Sequence, residues 1–229
     1  MPSPKENQRG NSVKKKSIDE LLRVMARLRS PTGCPWDREQ DHQTLRWHAV
    51  EEVYELMDAI EGEDDGEMVE ELGDLLLQVV FHCQLAKERG AFDFEEVAGH
   101  IAEKLVRRHP HVFGNSKAKT VDAVWAQWDK IKKAEKEGTP HERTSAMDGI
   151  PRHLPALLRV EKLIKKARKA GLTGLPTARK KSKTTIAREL FELASAAQAR
   201  GWSAEELLRI EAGKREKSWR AREARTRRS

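Results

Sequence analysis

The sequence predicts an all-α protein, in which a helical bundle is followed by a more basic helical region. Apolar residues recur every three or four positions through several long segments, which is the spacing of one face of a helix. β-branched residues are sparse and never alternate with polar residues over five or six positions, so no strand is indicated. Gly90 and Pro110 each close a periodic segment, as expected at helix ends.

Charge is distributed unevenly along the chain. The net charge is +7, yet residues 151–229 contain 22 Lys and Arg against 8 Asp and Glu, while residues 1–150 contain 22 and 29. We therefore expect a disordered basic arm over residues 1–16, a helical domain over 17–137, a linker over 138–155 and a separate basic region over 156–229.

Cellular location is predicted from what the composition lacks. No apolar run approaches the roughly 20 residues of a membrane span, and the N-terminus has no apolar signal segment. We expect a cytoplasmic protein. Cys34 and Cys83 form neither a disulfide framework nor a metal-binding spacing.

The first predicted helices contain the main apolar faces. Ser17 begins the first helix, and Glu20 completes a capping box. A turn-rich loop follows from Pro31. The next two helices are predicted over 44–60 and 67–89, and the short connection between them implies an antiparallel hairpin.

Five further helices are indicated towards the C-terminus. Asp93 is a suitable N-cap for the first of them, whose buried side would carry Val97, Ile101 and Leu105. The predicted ranges are 94–108, 121–137, 156–170, 184–200 and 203 onwards.

Two acidic clusters stand out within the apolar hairpin. Glu52 and Glu55 are three residues apart, as are Glu71 and Asp74, so each pair projects from one face of its helix. The hairpin would bring the two pairs face to face. Four carboxylates at close range raise one another's pKa values unless a cation lies between them. Leucines surround Asp74, where an unpaired carboxylate would be costly.

A hard divalent ion is the expected partner of these carboxylates. Mg²⁺ suits an all-oxygen site, and Mn²⁺ is a possible substitute. The alternative is a solvated acidic helix face, which is common at this spacing. No Lys or Arg lies between residues 47 and 86 to neutralise the acids, which favours the ion. Mg²⁺ held in this way usually serves phosphate chemistry.

Basic and aromatic residues could bind a phosphorylated ligand. Lys104, Arg107 and Arg108 end one helix, and Lys132 lies on another; all could neutralise phosphate oxygens. Alone, the first three could equally be an ordinary favourable helix C-terminus. Trp36 could seal the core from its polar loop, offer a flat surface to a nucleobase, or do both.

Several segments together resemble the MazG family of nucleoside triphosphate pyrophosphohydrolases. They are GCPWDREQ from Gly33, the pair EEVYE and EELGDLLLQVVFH, and EKLVRRHPHVFG. This resemblance implies an all-α homodimer whose interface buries the site helices. It also implies Mg²⁺-dependent hydrolysis of (deoxy)nucleoside triphosphates to monophosphate and pyrophosphate. House-cleaning of aberrant nucleotides and turnover of signalling nucleotides are both compatible with this chemistry.

The family pattern E-x-x-E followed by E-x-x-D also implies roles for individual residues. It makes Glu52, Glu55, Glu71 and Asp74 metal ligands. For the hydrolysis itself, we expect Glu51 or Glu55 to accept the proton from water. The implied phosphate-binding and substrate-binding residues are Lys104, Arg107, Arg108, Trp128 and Lys132, with Trp36 the candidate base contact. Lys132 is also expected to stabilise the departing charge.

The C-terminal region departs from the family pattern. The second domain repeat is shortened, and Thr185 and Arg188 stand where its E-x-x-D motif would lie. A catalytically weak nucleotide-binding or regulatory module is therefore one alternative function. Nucleic-acid binding by the basic region, driven by counterion release, is another. The region contains no recognition motif and is otherwise interpreted as a solvated tail.

Overall fold

The computed structural model describes residues 9–173 and 181–227, and side chains from residue 17 onwards. The all-α prediction is confirmed, because these residues form helices and turns and no strand. The helices are α1 (Arg9–Leu28), α2 (Pro35–Glu39), α3 (His48–Glu61), α4 (Asp65–Glu88), α5 (Phe94–Arg108), α6 (Pro110–Phe113), α7 (Val121–Ala134), α8 (Ala156–Lys169), α9 (Lys183–Gln198) and α10 (Ala204–Thr226). None of these helices is long and apolar enough to cross a bilayer.

The chain divides into two compact units, Met1–Lys117 and Ala118–Ser229. The first contains α1 to α6 and the second α7 to α10. The domain boundaries at residues 137 and 155 stay a prediction. Residues 1–8 of the predicted basic arm, and residues 174–180 and 228–229 of the predicted basic region, lie outside the described residues.

Two predicted helix starts are wrong. The first helix begins at Arg9 rather than Ser17, because Lys14 to Lys16 favour helix and extend it towards the N-terminus. The helix predicted from Thr44 is α3, and it begins at His48 instead. There the side chain of Asp41 accepts hydrogen bonds from the backbone N–H groups of Gln43 and Thr44, at 2.7 and 2.8 Å, and holds a turn instead.

The predicted hairpin is formed by α3 and α4, which pack along each other. Residues 62–64 alone connect them. Glu63 takes a left-handed φ of 53°, which reverses the chain direction. Asp64 then caps α4 by accepting hydrogen bonds from the N–H groups of Gly66 and Glu67 at 2.8 and 3.2 Å.

The core of the first unit lies where α1 packs against the C-terminal half of α4. Its buried residues are Met25, Leu45, Val80, Phe81 and Leu85. Arg29, at the end of α1, makes two hydrogen bonds of 2.7 Å to the carboxylate of Glu88 on α4. The Arg29 guanidinium also lies over the ring of Phe81, 5.6 Å from its centroid. These contacts hold the C-terminal end of α4, which is the end away from the acidic clusters.

Much of the predicted core is exposed in the single chain. Val97, Ile101 and Leu105, expected on the buried side of α5, are 36%, 47% and 49% exposed. The hairpin shows the same pattern, because its two helices cover only part of each other's apolar surface. Exposed apolar residues on α3 and α4 include Val50, Val53, Tyr54, Met57, Ile60, Leu72, Leu76 and Val79.

The second unit has its own core and a dense set of ion pairs. Leu163 and Ala167 of α8 pack with Ala212 and Trp219 of α10. Three arginines of α10, and Arg227 directly after it, are matched by acids one turn earlier. These i,i+4 pairs are Arg209–Glu205, Arg215–Glu211, Arg220–Glu216 and Arg227–Glu223. Such pairing reduces the positive charge that this helix presents to solvent.

Candidate functional site

Three of the four predicted metal ligands converge at the α3–α4 hairpin. One carboxylate oxygen from each of Glu52, Glu55 and Glu71 lies within 4.8 Å of the other two. Glu52 and Glu55 are one turn apart on α3, and Glu71 projects from the facing side of α4. Glu52 and Glu71 are half-buried and Glu55 is exposed, so the cluster opens to solvent on one side.

Asp74, the fourth predicted ligand, lies beside this group without belonging to it. It is one turn after Glu71 and is half-buried rather than enclosed, and the nearby Leu72 is 50% exposed. Its carboxylate is nonetheless close enough to act on Glu52 electrostatically. Asp74 therefore borders the cluster of three glutamates.

The cluster is electrostatically costly when it contains only protein atoms. Burial raises the pKa of the Glu71 carboxyl, and the neighbouring carboxylates, first that of Glu55, raise it further. Burial also raises the pKa of Glu52, and repulsion from Asp74 adds to this effect. Both carboxyls are therefore harder to ionise than usual. A nearby positive charge would lower their pKa values again.

The donor atoms fit a hard cation. Among the described residues, Oε2 of Glu71 is a buried polar atom with no hydrogen-bond partner. A buried carboxylate oxygen without a donor is unfavourable, whereas oxygen is the ligand that Mg²⁺ and Mn²⁺ prefer. The residues at this site therefore suit a divalent metal ion.

One residue of this site was missed by the sequence analysis. Gln78 lies one turn after Asp74 on α4, is 7% exposed, and donates from Nε2 to Oε1 of Glu52 at 3.3 Å. A single glutamine within an apolar helix carries no signature of function. Its spacing of seven residues from Glu71 on the same helix face could have indicated it.

Two of the predicted phosphate-binding residues line a groove on α5. Lys104 and Arg107 lie in a groove of about 410 Å³ together with Val97, His100 and Ile101. None of the four acids lines it. Arg108, next to Arg107, is half-buried and does not line this groove. The candidate phosphate-binding residues therefore lie on α5, whereas the candidate metal ligands lie on α3 and α4.

Trp36 lies on α2, beside the first turn of α3. It is 53% exposed, so it does not seal the core of this chain, and that interpretation is wrong. Its ring meets that of His48 edge-on, with the centroids 6.2 Å apart. Nδ1 of His48 lies 3.7 Å from Oε2 of Glu51, which is exposed and outside the cluster of three glutamates.

Gly33 sets the position of this tryptophan loop. A Cβ at Gly33 would lie 2.0 Å from the carbonyl oxygen of Leu28, so any larger residue would displace the backbone. The next residue, Cys34, donates its N–H to that same carbonyl at 2.8 Å. The GCPW sequence is thus a close turn at the end of α1, and it leads directly into α2.

Trp128 and Lys132 lie in the second unit, on α7. Nζ of Lys132 is 5.4 Å from the ring centroid of Trp128 and 5.8 Å from that of Trp125. The two tryptophan rings meet edge to face, with centroids 5.3 Å apart. The structure brings these α7 residues together as one aromatic and cationic cluster.

Comparison with known proteins gives the family. Residues 40–113 match the MazG nucleotide pyrophosphohydrolase domain, and this range contains all four acids, Gln78 and α5. A 26.1 kDa uncharacterized protein of Streptomyces cacaoi is 44% identical over 195 residues, which are 84% of this chain and 77% of that protein. The chain belongs to the MazG family.

Two further relatives carry functional names. The nucleoside triphosphate pyrophosphohydrolase of Escherichia coli K12 is 48% identical over 155 residues, which are 67% of this chain and 58% of that protein. A Thermotoga maritima protein, named nucleoside triphosphate pyrophosphohydrolase/pyrophosphatase MazG, is 45% identical over 154 residues, again 67% and 58%. The chain thus covers less than two thirds of these relatives. Trp128 and Lys132 lie beyond the matched MazG domain.

Proposed function

We propose that this chain hydrolyses nucleoside triphosphates to nucleoside monophosphate and pyrophosphate with the help of a divalent metal ion. The observation that carries this proposal is the cluster of Glu52, Glu55 and Glu71, whose carboxylate oxygens lie within 4.8 Å of one another. The unpartnered oxygen of Glu71 adds to it. The functional names of the E. coli and T. maritima relatives supply the substrate class.

The acids would hold the metal and move the proton. Glu52, Glu55, Glu71 and Asp74 would bind Mg²⁺, or Mn²⁺ in its place. A metal ion bound there would neutralise phosphate charge and lower the pKa of a water molecule. The carboxylate of Glu51 or Glu55 would accept the proton from the attacking water.

The basic and aromatic residues would bind the nucleotide. Lys104, Arg107 and Arg108 would neutralise phosphate oxygens, and Lys132 would stabilise the departing charge. Trp36 and Trp128 would contact the base through their rings. Arg107, Arg108 and Trp128 already have partners within the chain, so nucleotide binding would rearrange these contacts.

We further propose that the chain functions as a homodimer. The exposed apolar residues of α3, α4 and α5 favour this, because a water-exposed apolar face of this kind is typical of an interface. The nucleic-acid alternative is not favoured by α10, because Arg209, Arg215 and Arg220 already pair with acids one turn earlier.

Pyrophosphate release from a panel of canonical and modified triphosphates tests the activity. Activity should require Mg²⁺ and stop when a chelator is added. Glu71→Gln and Asp74→Asn each remove one negative charge from the site and should abolish release. Glu67→Gln, one turn earlier on α4 and exposed, is the matched control and should retain activity.

The outcomes separate the alternatives. Full activity in both variants would exclude this site. Calorimetry that detects nucleotide binding by the wild-type chain without any product would instead favour the regulatory module.

A further inference from the structure

Gln78 is the polar residue buried directly against the acidic cluster. It is 7% exposed, at the packed face between α3 and α4. Its Nε2 donates to Oε1 of Glu52 at 3.3 Å. Because Glu52 is also one of the three clustered glutamates, this hydrogen bond acts on a candidate metal ligand.

The chemistry of the two side chains fixes the direction of the amide. An ionised carboxylate only accepts hydrogen bonds, so the NH₂ group of Gln78 must face Glu52. The amide oxygen then points elsewhere, and it is a buried atom with no hydrogen-bond partner among the described residues. A glutamine that served only to fill the helix interface would leave this acceptor unsatisfied for no gain, since an apolar side chain of the same size would avoid it.

We propose that Gln78 is a positioning residue that holds the Glu52 carboxylate in the orientation in which it binds the metal ion. This inference rests on the proposed metal-dependent function. Gln78 touches a ligand rather than the metal or the nucleotide, so its effect passes through Glu52. Substitution of a residue that orients a metal ligand in this way typically lowers the metal affinity.

Mn²⁺ binding to the full-length, nucleotide-free chain tests the role of Gln78. Gln78→Met keeps the length of the side chain and removes the donor, and Gln78→Leu is measured in parallel. We expect each to raise the Mn²⁺ dissociation constant about 10- to 100-fold. Without metal, both variants should unfold at or above the wild-type temperature, because the unsatisfied amide oxygen is gone.

Gln84 provides a matched control on the same helix. Its Nε2 also donates to a glutamate, Oε1 of Glu88, at 3.0 Å, but it lies at the other end of α4 from the acids. Gln84→Met and Gln84→Leu should leave the Mn²⁺ dissociation constant within about twofold of the wild-type value, since separated sites act independently.

Kinetics provide a second measurement. In Gln78→Met the metal concentration needed for half-maximal pyrophosphate release should rise by the same factor as the dissociation constant. At saturating Mn²⁺, kcat should return towards the wild-type value, as expected of a residue that acts through a ligand.

Three results would overturn the inference, and they are distinguishable. If the wild type binds Mn²⁺ and both Gln78 variants bind equally well, Gln78 does not position Glu52. If both variants fail to fold, Gln78 is a structural residue. If the wild-type chain itself binds no Mn²⁺, the proposed metal-dependent function fails, and this inference fails with it.

Discussion

Two carboxylates on α4 of the first unit have opposite environments. Glu71 keeps a buried oxygen without a partner. Glu88 on the same helix receives two hydrogen bonds of 2.7 Å from Arg29, whose side chain is 9% exposed. The first arrangement is unfavourable until a cation arrives, whereas the second stabilises the fold at once.

The Arg29–Glu88 pair predicts a pH-dependent loss of stability. The hydrogen bond from Arg29 lowers the pKa of Glu88 from its usual 4.5. A depressed carboxyl pKa contributes stability above the unfolded value, and that contribution disappears as the pH falls through the folded value. Glu88→Gln should therefore lower the free energy of unfolding at neutral pH, because it removes the charge that Arg29 binds. We expect a decrease of about 1 to 2 kcal/mol, a modest value because Glu88 is 36% exposed and water screens the pair.

Urea denaturation at two pH values measures this effect. The difference between wild type and Glu88→Gln should be largest at about pH 7 and should shrink as the pH falls below 4.5, because the stabilising contribution disappears as Glu88 becomes protonated in the folded state. An equal difference at both pH values would contradict the assignment to this ion pair.

At single positions, the sequence predicted which acids come together better than it predicted how deeply each acid is buried. The i,i+3 spacing brought Glu52, Glu55 and Glu71 to one place, as expected of helix faces. It did not indicate that Asp74 would stay outside the closest group, since that depends on the rotation of α4 about its axis. The spacing of Gln78 from Glu71 places it on the same helix face but does not reveal its role, because that role depends on a contact between two helices.

Helix ends are the elements that the sequence indicates most directly. Asp93 caps α5 as predicted, accepting a hydrogen bond from the N–H of Glu96 at 3.1 Å. Ser203 caps α10 in the same way through Glu206. Local hydrogen bonds of this kind involve three or four neighbouring residues, so no tertiary contact is needed to predict them. The start of α1 shows that a suitable cap residue does not always begin a helix. The residues before Ser17 also favour helix, so α1 begins at Arg9 instead.

The hairpin turn is the element on which the metal site depends. Asp64→Ala removes the side-chain oxygen that caps α4 and should destabilise the first unit by about 1 kcal/mol. The neighbouring Asp65→Ala is the matched control, since the cap hydrogen bonds belong to Asp64. Thermal unfolding followed by circular dichroism measures both. Equal effects of the two substitutions would mean that general helix-dipole charge, rather than the cap, stabilises this end.

The whole molecule has more apolar surface than one chain covers. Periodicity identified the apolar residues of α3, α4 and α5 but assigned them to the core of a single chain. Periodicity reports which residues avoid water and does not report which chain covers them. This is why the helices were predicted well and the buried residues less well.

A single charge on the exposed face tests the proposed homodimer. Leu76→Asp, on α4 and 39% exposed, should convert a dimer to a monomer, because two copies of an unpaired carboxylate would be buried in the interface. Light scattering coupled to gel filtration gives the mass directly.

Val121→Asp controls for the introduction of charge as such. Val121 is 72% exposed at the first residue of α7, where an acid is favourable for the helix dipole. This variant should keep the wild-type mass. A wild-type chain that is monomeric, or a Leu76→Asp variant that remains dimeric, would contradict the proposed interface.

The short connection between α3 and α4 affects when the site forms during folding. All four acids lie between residues 52 and 74, and residues 62–64 alone separate their helices. Contacts so close in sequence need little loop-closure entropy and can form early. The repulsion between the acid pairs then arises during folding, when the two helices first meet. Divalent cations should therefore accelerate the folding of this unit, and the metal would act as part of its nucleus.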